Sequence, residues 1–575
     1  MKHICFALVV AILLSSSSTA QRPARATART GTAPFSVAER SIAEMRAAME
    51  RGRVTSRELV QQYLVRIALY EDKLNGVMAV NPGALKEADE RDRERAAGRT
   101  RGPLHGIPIA LKDNIHTTNM PTTGGALAFD GFTPPYEATV TRNLREAGAI
   151  IIAKTVLTEL ANWVASGMPA NYNALSGYGM NPYDPRRDPR EATFDGRPAM
   201  GTGGSSSGIG TAANFWAANI GTETSGSILS PANQNMLAAI KPTVGRVSRY
   251  GIIPITADQD TAGPMAKSVA DAAILLGVLE RGNPDPHDAA TSACAPPPGN
   301  DYTASLRDDA LKGARIGIPR AFFYERVPVP GSDRQRGGLN AEQARVMAEA
   351  IETLKAQGAE IVDPADIPSI TDPDAAKNFL NWGICSGADN AKGKDENCSV
   401  ALKYGMKRDF NAWLGTLGPA APVKTLTGLR QWNEEHRKAG AIKYEQANLD
   451  ISDEMDVERD RARWEADRAK DRLLAATNGI DAAIEQHKLD ALLFPGSSGS
   501  ALAARPGYPT VMVPFGLVPN VPPGQAAPFP AGFDAKPQPY GVSFTGTACS
   551  EPRLIGLAYA FEQATKKRVP PASAP

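Results

Sequence analysis

GGSSSG, at Gly203–Gly208, and GTETSGSILSPA, at Gly221–Ala232, are two serine-bearing turns separated by a stretch of small residues, and the second turn isolates one hydroxyl, Ser227. Two such turns suggest hydroxyls that act together. Upstream, PLHGIPIALKDN (Pro103–Asn114) sets Lys112 at the end of an apolar, strand-like run. One lysine and two serines can build a nucleophilic site without histidine.

Working outward from these turns, the pattern is α/β. Apolar β-type runs at Ile107–Leu111 and Ala149–Ala153 alternate with helical stretches such as Ala138–Ala147, which favours a largely buried, partly parallel sheet with the motifs at strand ends and on loops. Ser36 with Glu39 and Thr55 with Glu58 have capping-box spacing and predict two helix starts. Beyond a Pro-rich turn at Cys294–Asn300, ARIGIPRAFF (Ala314–Phe323) returns to the sheet. LDALLFPG (Leu489–Gly496) and YPTVMVPFG (Tyr508–Gly516) are core strands, and a last helix is expected at Pro552–Lys566. Between them, 372–478 shifts in composition, and Glu434–Lys470 is dense in both charge signs. It is expected to be a helical insertion over one face and not a second domain, which leaves one catalytic domain over 36–570.

The first twenty residues stand apart. Lys2 and His3 precede the apolar run Ile4–Leu14, and SSSSTA ends in small residues, the pattern of a secretory signal peptide at 1–20 followed by a flexible leader at 21–35. The apolar run is too short to span a bilayer, which takes roughly 20 residues, so the expectation is an exported, periplasmic or secreted protein with no stable membrane anchor. Hydrophobic residues at 42% and charged residues at 22% are ordinary for a globular chain. The formal net charge is +1, and removing Lys2 leaves bases and acids balanced at 62 each. A nucleic-acid partner calls for a basic excess or stripe and is not expected. Export leaves Cys294, Cys385, Cys398 and Cys549, none with metal-ligand spacing. Cys385 and Cys398 enclose a short polar loop, where a disulfide and two separate buried thiols are both compatible with the sequence.

A serine hydroxyl is a poor nucleophile near neutral pH and needs a proton acceptor within hydrogen-bond reach. His105 and His116 flank the Lys112 strand, while His287, His436 and His487 lie in polar surroundings suited to surface segments, so histidine has little to support it as the base. Lysine works only when neutral. Holding an unperturbed lysine deprotonated at pH 7 costs about 4.6 kcal/mol, at roughly 1.36 kcal/mol per unit from a pKa near 10.4. Burial lowers that cost, and IPIAL before Lys112 supplies the apolar setting. Asp113 would oppose the shift if it faced the amine, but adjacent strand residues point to opposite sides. A structural salt bridge is the alternative role for Lys112. Thr224, Ser225 and Gly226 lead into Ser227, a small-residue turn whose N–H groups can converge on a developing oxyanion, each donor being worth about 3 kcal/mol. A tight loop entering the helix after Pro231 is the plain alternative.

Gly204, Ser206 and Gly208 also match G-x-S-x-G, but GRPAMGTG precedes them where a nucleophile elbow needs a buried strand. A phosphate loop would need GK[ST], which does not follow.

GIPIALKDN, GGSSSG, GTETSGSI, AIKPTVGRVSRYGIIP (Ala239–Pro254), DTAGPMAKSVADAA (Asp260–Ala273) and the ending YGVSFTGTACSEPRLIGLAYAFEQAT, in that order, resemble the amidase signature family of Ser-cisSer-Lys hydrolases, and within it bacterial peptide amidases and related exported enzymes. The resemblance spans roughly Ser36 to Arg568. It implies a single large α/β/α sandwich around a twisted, mixed, mostly parallel sheet. It also implies Lys112 as base, Ser205 as bridging serine on a cis peptide after Gly204, Ser227 as nucleophile, and the amides of Thr224, Ser225, Gly226 and Ser227 as oxyanion hole. The implied substrate is a small-molecule or peptide amide, with no cofactor and no metal. The arginine that many members carry after GSI is replaced by Leu229, and Asp188–Met200 is extra sequence expected at the surface. Two other roles share the fold: a glutamyl-tRNA(Gln) amidotransferase A-like glutaminase component, and a catalytically silent exported binding scaffold.

Overall fold

Eleven apolar segments pair into one sheet: β1 (Val77–Val80), β2 (Pro108–Lys112), β3 (Ile150–Thr155), β4 (Ala218–Glu223), β5 (Ala238–Lys241), β6 (Thr261–Ala266), β7 (Arg315–Gly317), β8 (Glu360–Val362), β9 (Ala491–Pro495), β10 (Thr510–Val518) and β11 (Gln538–Thr545). The computed structural model describes residues 34–575 except 194, 283, 388–395 and 523–526. The expected signal peptide at 1–20, and all but the last two residues of the 21–35 leader, lie outside the described residues. Ser36–Pro575 form one compact unit.

The strand order is β1-β3-β2-β4-β6-β5-β10-β11-β9-β7-β8. Four neighbouring pairs are parallel, β2 with β3 and β4, and β7 with β8 and β9; the other six are antiparallel. The α/β class and the mixed sheet therefore stand, with less parallel pairing than expected. Strands buried on both faces read as continuous apolar runs whichever way they pair, so β5, β6 and β10 carry no sequence mark of their direction. The helices Val269–Leu279 and Glu551–Thr565 pack on the middle of the sheet, the first on β5 and β6, the second on β10 and β11.

Topology brings the chemistry together. β2 and β4 are parallel neighbours with Leu111 opposite Ile220, so their C-terminal ends share one edge of the sheet. Lys112 ends β2, and Thr224–Ser227 directly follow β4.

Two local expectations change. The first helix is Ile42–Glu50, capped by Ser41 and Glu44, whereas Glu39 is left-handed with φ 55°. Ser36/Glu39 and Ser41/Glu44 both have the spacing, and the second wins because the turn after it buries Ile42 and Met45. The Thr55–Glu58 box forms at the helix Ser56–Leu74. The second change concerns the backbone before Ser205: the one cis peptide bond among the described residues is Asp363–Pro364, so Gly204–Ser205 is trans. For a non-proline residue trans is the lower-energy form, and Gly203, at φ 94°, makes the turn.

Within 372–478 the chain runs through the helices Ala401–Thr416, Leu426–Glu435, Ala447–Asp453 and Arg461–Arg472. Phe410, Trp413 and Leu414 from the first pack with Phe129, Trp163 and Ile253 in one buried cluster. Cys294 is bonded to Cys549 and Cys385 to Cys398, with sequence separations of 255 and 13. A cross-link stabilises mainly by restricting the unfolded chain, typically by about 2–4 kcal/mol and more for longer loops. Replacing the Cys294/Cys549 pair by serines is therefore expected to lower the thermal midpoint more than replacing Cys385/Cys398. Equal midpoints for the two variants would contradict this.

Candidate active site

Lys112 is fully buried, and its Nζ lies 2.9 Å from Ser205 Oγ, 2.8 Å from Thr222 Oγ1 and 3.3 Å from Thr222 O. Burial lowers its pKa to about 7, while the negative charges of Asp260 and Glu223 act in the opposite direction. The alternative salt bridge does not form. Asp113 turns to the other side of the strand and pairs with Lys154 at 3.2 Å, as alternation requires.

The serines of GGSSSG separate by role. Ser205 meets the lysine, whereas Ser206 Oγ donates to Thr222 O and accepts from Thr222 N–H, fastening the turn to β4. Thr158 N–H donates to Ser205 O at 3.0 Å and Asn171 Nδ2 to Gly204 O at 3.3 Å. The two serine turns touch through their backbones. Ser206 N–H donates to Ser227 O at 3.1 Å, and a Cβ at Gly204 would lie 2.9 Å from Ser227 Cα, so only glycine permits the approach.

Ser227 follows Gly226, which has φ 90°. Among the described residues, Ser227 Oγ makes no hydrogen bond, to Ser205 or to any other group, and the N–H groups of Thr224, Ser225, Gly226 and Ser227 meet no acceptor. Just beyond, the N–H groups of Ile228 and Leu229 donate to Glu223 Oε2 at 2.7 and 2.9 Å, which fixes the turn from behind. Leu229 is buried in an apolar cluster.

Three polar neighbours went unassigned in the sequence. Thr222 gives Lys112 two acceptors, and Asn114 Nδ2 donates to Thr222 Oγ1 at 3.1 Å. Asp260 accepts from Ile255 and Thr256 N–H, each at 2.9 Å, and from the Thr224 hydroxyl; burial raises its pKa to about 7. All three lie inside the quoted motifs, but residue type alone gave them no partner.

The histidines beside the strand serve structure. His116 Nε2 accepts from Trp413 Nε1 at 3.0 Å, and burial lowers its pKa to about 3. His105 Nε2 lies 2.9 Å from Arg91 O. Among the described residues no group of three His, Cys, Asp or Glu side chains could hold a metal ion, and no helix is long and apolar enough to cross a membrane.

A cavity of about 220 Å³ opens beside the site. Asn114, Thr222 and Thr224 border it on the Lys112 side, and Tyr136, Tyr250 and Trp413 form its aromatic walls. It reaches the site through the residues before Ser227 and not through Ser227 itself.

A large mixed sheet with a buried lysine and glycine–serine turns at one edge is the architecture of an amide-hydrolysing α/β enzyme. The Amidase family model matches residues 58–555, and the chain belongs to that family and is an amidase. It is similar to the peptide amidase of Stenotrophomonas maltophilia, with 37% identity and a TM-score of 0.77 over 94% of this chain and 99% of that one. A probable amidase of Arabidopsis thaliana is 33% identical over 544 residues, 93% of this chain and 92% of the relative. The A-type component of the glutamyl-tRNA(Gln) amidotransferase of Thermosynechococcus vestitus is 31% identical over 549 residues, 91% of this chain and 98% of that one.

Proposed function

We propose that the chain hydrolyses a peptide amide or another small amide through an acyl-enzyme on Ser227, with Lys112 as the base and Ser205 as the relay between them. The contact that carries this is Lys112 Nζ to Ser205 Oγ. A neutral amine has two N–H donors and one lone pair, and Lys112 has three neighbours: the two Thr222 oxygens can accept, and the Ser205 O–H can donate to the lone pair.

In acylation Ser227 Oγ bonds to the carbonyl carbon, its proton passes to Ser205, and the Ser205 proton passes to Lys112. The N–H groups of the Thr224–Ser227 turn receive the developing oxyanion. The C–N bond breaks as Ser205 protonates the leaving nitrogen and recovers its own proton from Lys112. Water then attacks the ester by the same relay, releasing the carboxylic acid and Ser227. Overall one amide and one water give one acid and ammonia or an amine.

The test is a serine-directed covalent probe read by mass spectrometry alongside turnover of a panel of amides. Labelling at Ser227 with ammonia release supports the proposal; a folded protein that neither labels nor turns over any amide is the silent scaffold. For Ser205→Ala we expect residual turnover about 10²- to 10⁴-fold down, the range of a lost proton-transfer group, with Ser227 still in place. Unchanged kcat/KM in that variant would remove Ser205 from the relay.

A glutaminase component of a tRNA amidotransferase would share the fold, but a balanced mature charge gives no pull toward tRNA. Export through residues 1–20 is part of the proposal, and the two disulfides fit an oxidising compartment. An intact Met1 terminus on cytosolic protein would refute it.

A further inference from the structure

The cavity beside Thr222 and Thr224 is built from two parts of the chain that the relay does not use: the aromatic stack near Tyr136 and the insertion helix Ala401–Thr416. Tyr136 stacks on Tyr250 with centroids 4.9 Å apart and planes at 20°, and Tyr250 stacks on His287 at 4.2 Å and 23°. Trp413, also on the cavity wall, is held by its hydrogen bond to His116 and by tilted ring contacts with Phe129 and Phe410, at 5.6 and 5.2 Å. These rings are set by their neighbours before any ligand arrives, so little side-chain freedom remains to be lost on binding.

The charged groups on the rim are already engaged within the protein. Arg249 pairs with Asp288. Asp409 accepts from Arg408 Nε and Nη2 at 2.7 and 2.9 Å and from Ala257 N–H at 2.7 Å. Asp260 accepts from two backbone N–H groups and the Thr224 hydroxyl. A charged substrate group entering here would shed water without gaining an unpaired counter-ion, which is costly. At about 220 Å³ the space is below that of a drug-sized ligand site, roughly 300–1,000 Å³, and suits one side chain.

We infer that this cavity is the subsite for a single neutral aromatic side chain adjoining the scissile amide, with Trp413 and Tyr136 as the residues that determine the preference. The inference rests on the amide-hydrolase reading above and narrows its substrate class. An aromatic guest finds the rings of Tyr136, Tyr250 and Trp413 on the cavity wall, where offset or edge-on contact is favoured, while a methyl group leaves most of the wall uncovered.

The test compares kcat/KM for the N-acetylated amides of phenylalanine, alanine, arginine and glutamate. The phenylalanine amide is expected to exceed the alanine amide by about 10- to 100-fold, the discrimination a hydrophobic pocket can supply, with both charged amides below alanine. In Trp413→Ala the phenylalanine-to-alanine ratio is expected to fall toward one. Trp413→Phe, which keeps a ring but loses the bond to His116, is expected to retain most of it. The wild-type series decides the matter even if Trp413→Ala fails to fold. Turnover of all four amides at similar rates, or a preference for a charged one, overturns the subsite while leaving the hydrolase intact; turnover of none overturns both.

Discussion

Ser227→Ala is expected to lower amide turnover by about 10⁵-fold or more, because in the proposed relay the nucleophile and its base fail as one unit when either is removed. The same variant is expected to lose labelling by a serine-directed probe while keeping the wild-type thermal midpoint. The second expectation follows from local geometry. Ser227 Oγ makes no hydrogen bond among the described residues, and the turn is held by its backbone instead, through Ser227 O to Ser206 N–H and through Glu223 to Ile228 and Leu229. Removing one unbonded oxygen costs the fold little. Ser206→Ala gives the opposite signature. Its hydroxyl fastens GGSSSG to both backbone polar groups of Thr222, so its loss is expected to reach stability as well as rate. Turnover near wild type in Ser227→Ala, with the probe still attached elsewhere, would move the nucleophile to another serine.

Why the candidate site stood out in the sequence, and the sheet less so, has a physical reason. Lys112, Ser205 and Ser227 sit in segments where residue type is dictated by unusual demands: an amine at the end of an all-apolar strand, and glycines where two backbones approach within the length of a side chain. Such segments look odd in any sequence. The antiparallel β5, β6, β10 and β11 are ordinary apolar runs, and nothing in Ala238–Lys241 or Thr261–Ala266 states which neighbour it takes or in which direction. The partners of Asp260 and Asn114 were invisible for a related reason: one meets Ile255 and the other Ile253 and Thr222, contacts made by the folding of a loop and not by spacing. The bridge from Cys294 to Cys549 spans 255 residues, beyond any local pattern, whereas Cys385 and Cys398 could at least be suspected from their short loop. At Ser36 the capping rule found the right device one motif too early, because two matches stood side by side and only burial chose between them.

With Lys112 as the proposed base, its ionisation sets the expected pH dependence. With a pKa lowered to about 7 by burial, the neutral, proton-accepting form is the minority below pH 7 and the majority above it. The rate constant kcat/KM should therefore rise as pH increases through 7 and level off above; at pH 5, two units below, it should be about 100-fold under the plateau. The isosteric Lys112→Met variant, which keeps the buried volume, is expected to lose turnover by about 10⁴-fold or more while remaining folded. Asp260 complicates the assignment, since its own pKa is raised to about 7 by burial and its charge raises that of Lys112. Asp260→Asn separates them. Removing the carboxylate withdraws an influence that favours the ammonium, so a lysine-governed profile moves to lower pH, with its rising limb kept. If the limb vanishes in Asp260→Asn, the carboxyl and not the amine is the group being titrated. If the rate falls as pH rises through 7 in the wild type, a neutral lysine is not the base.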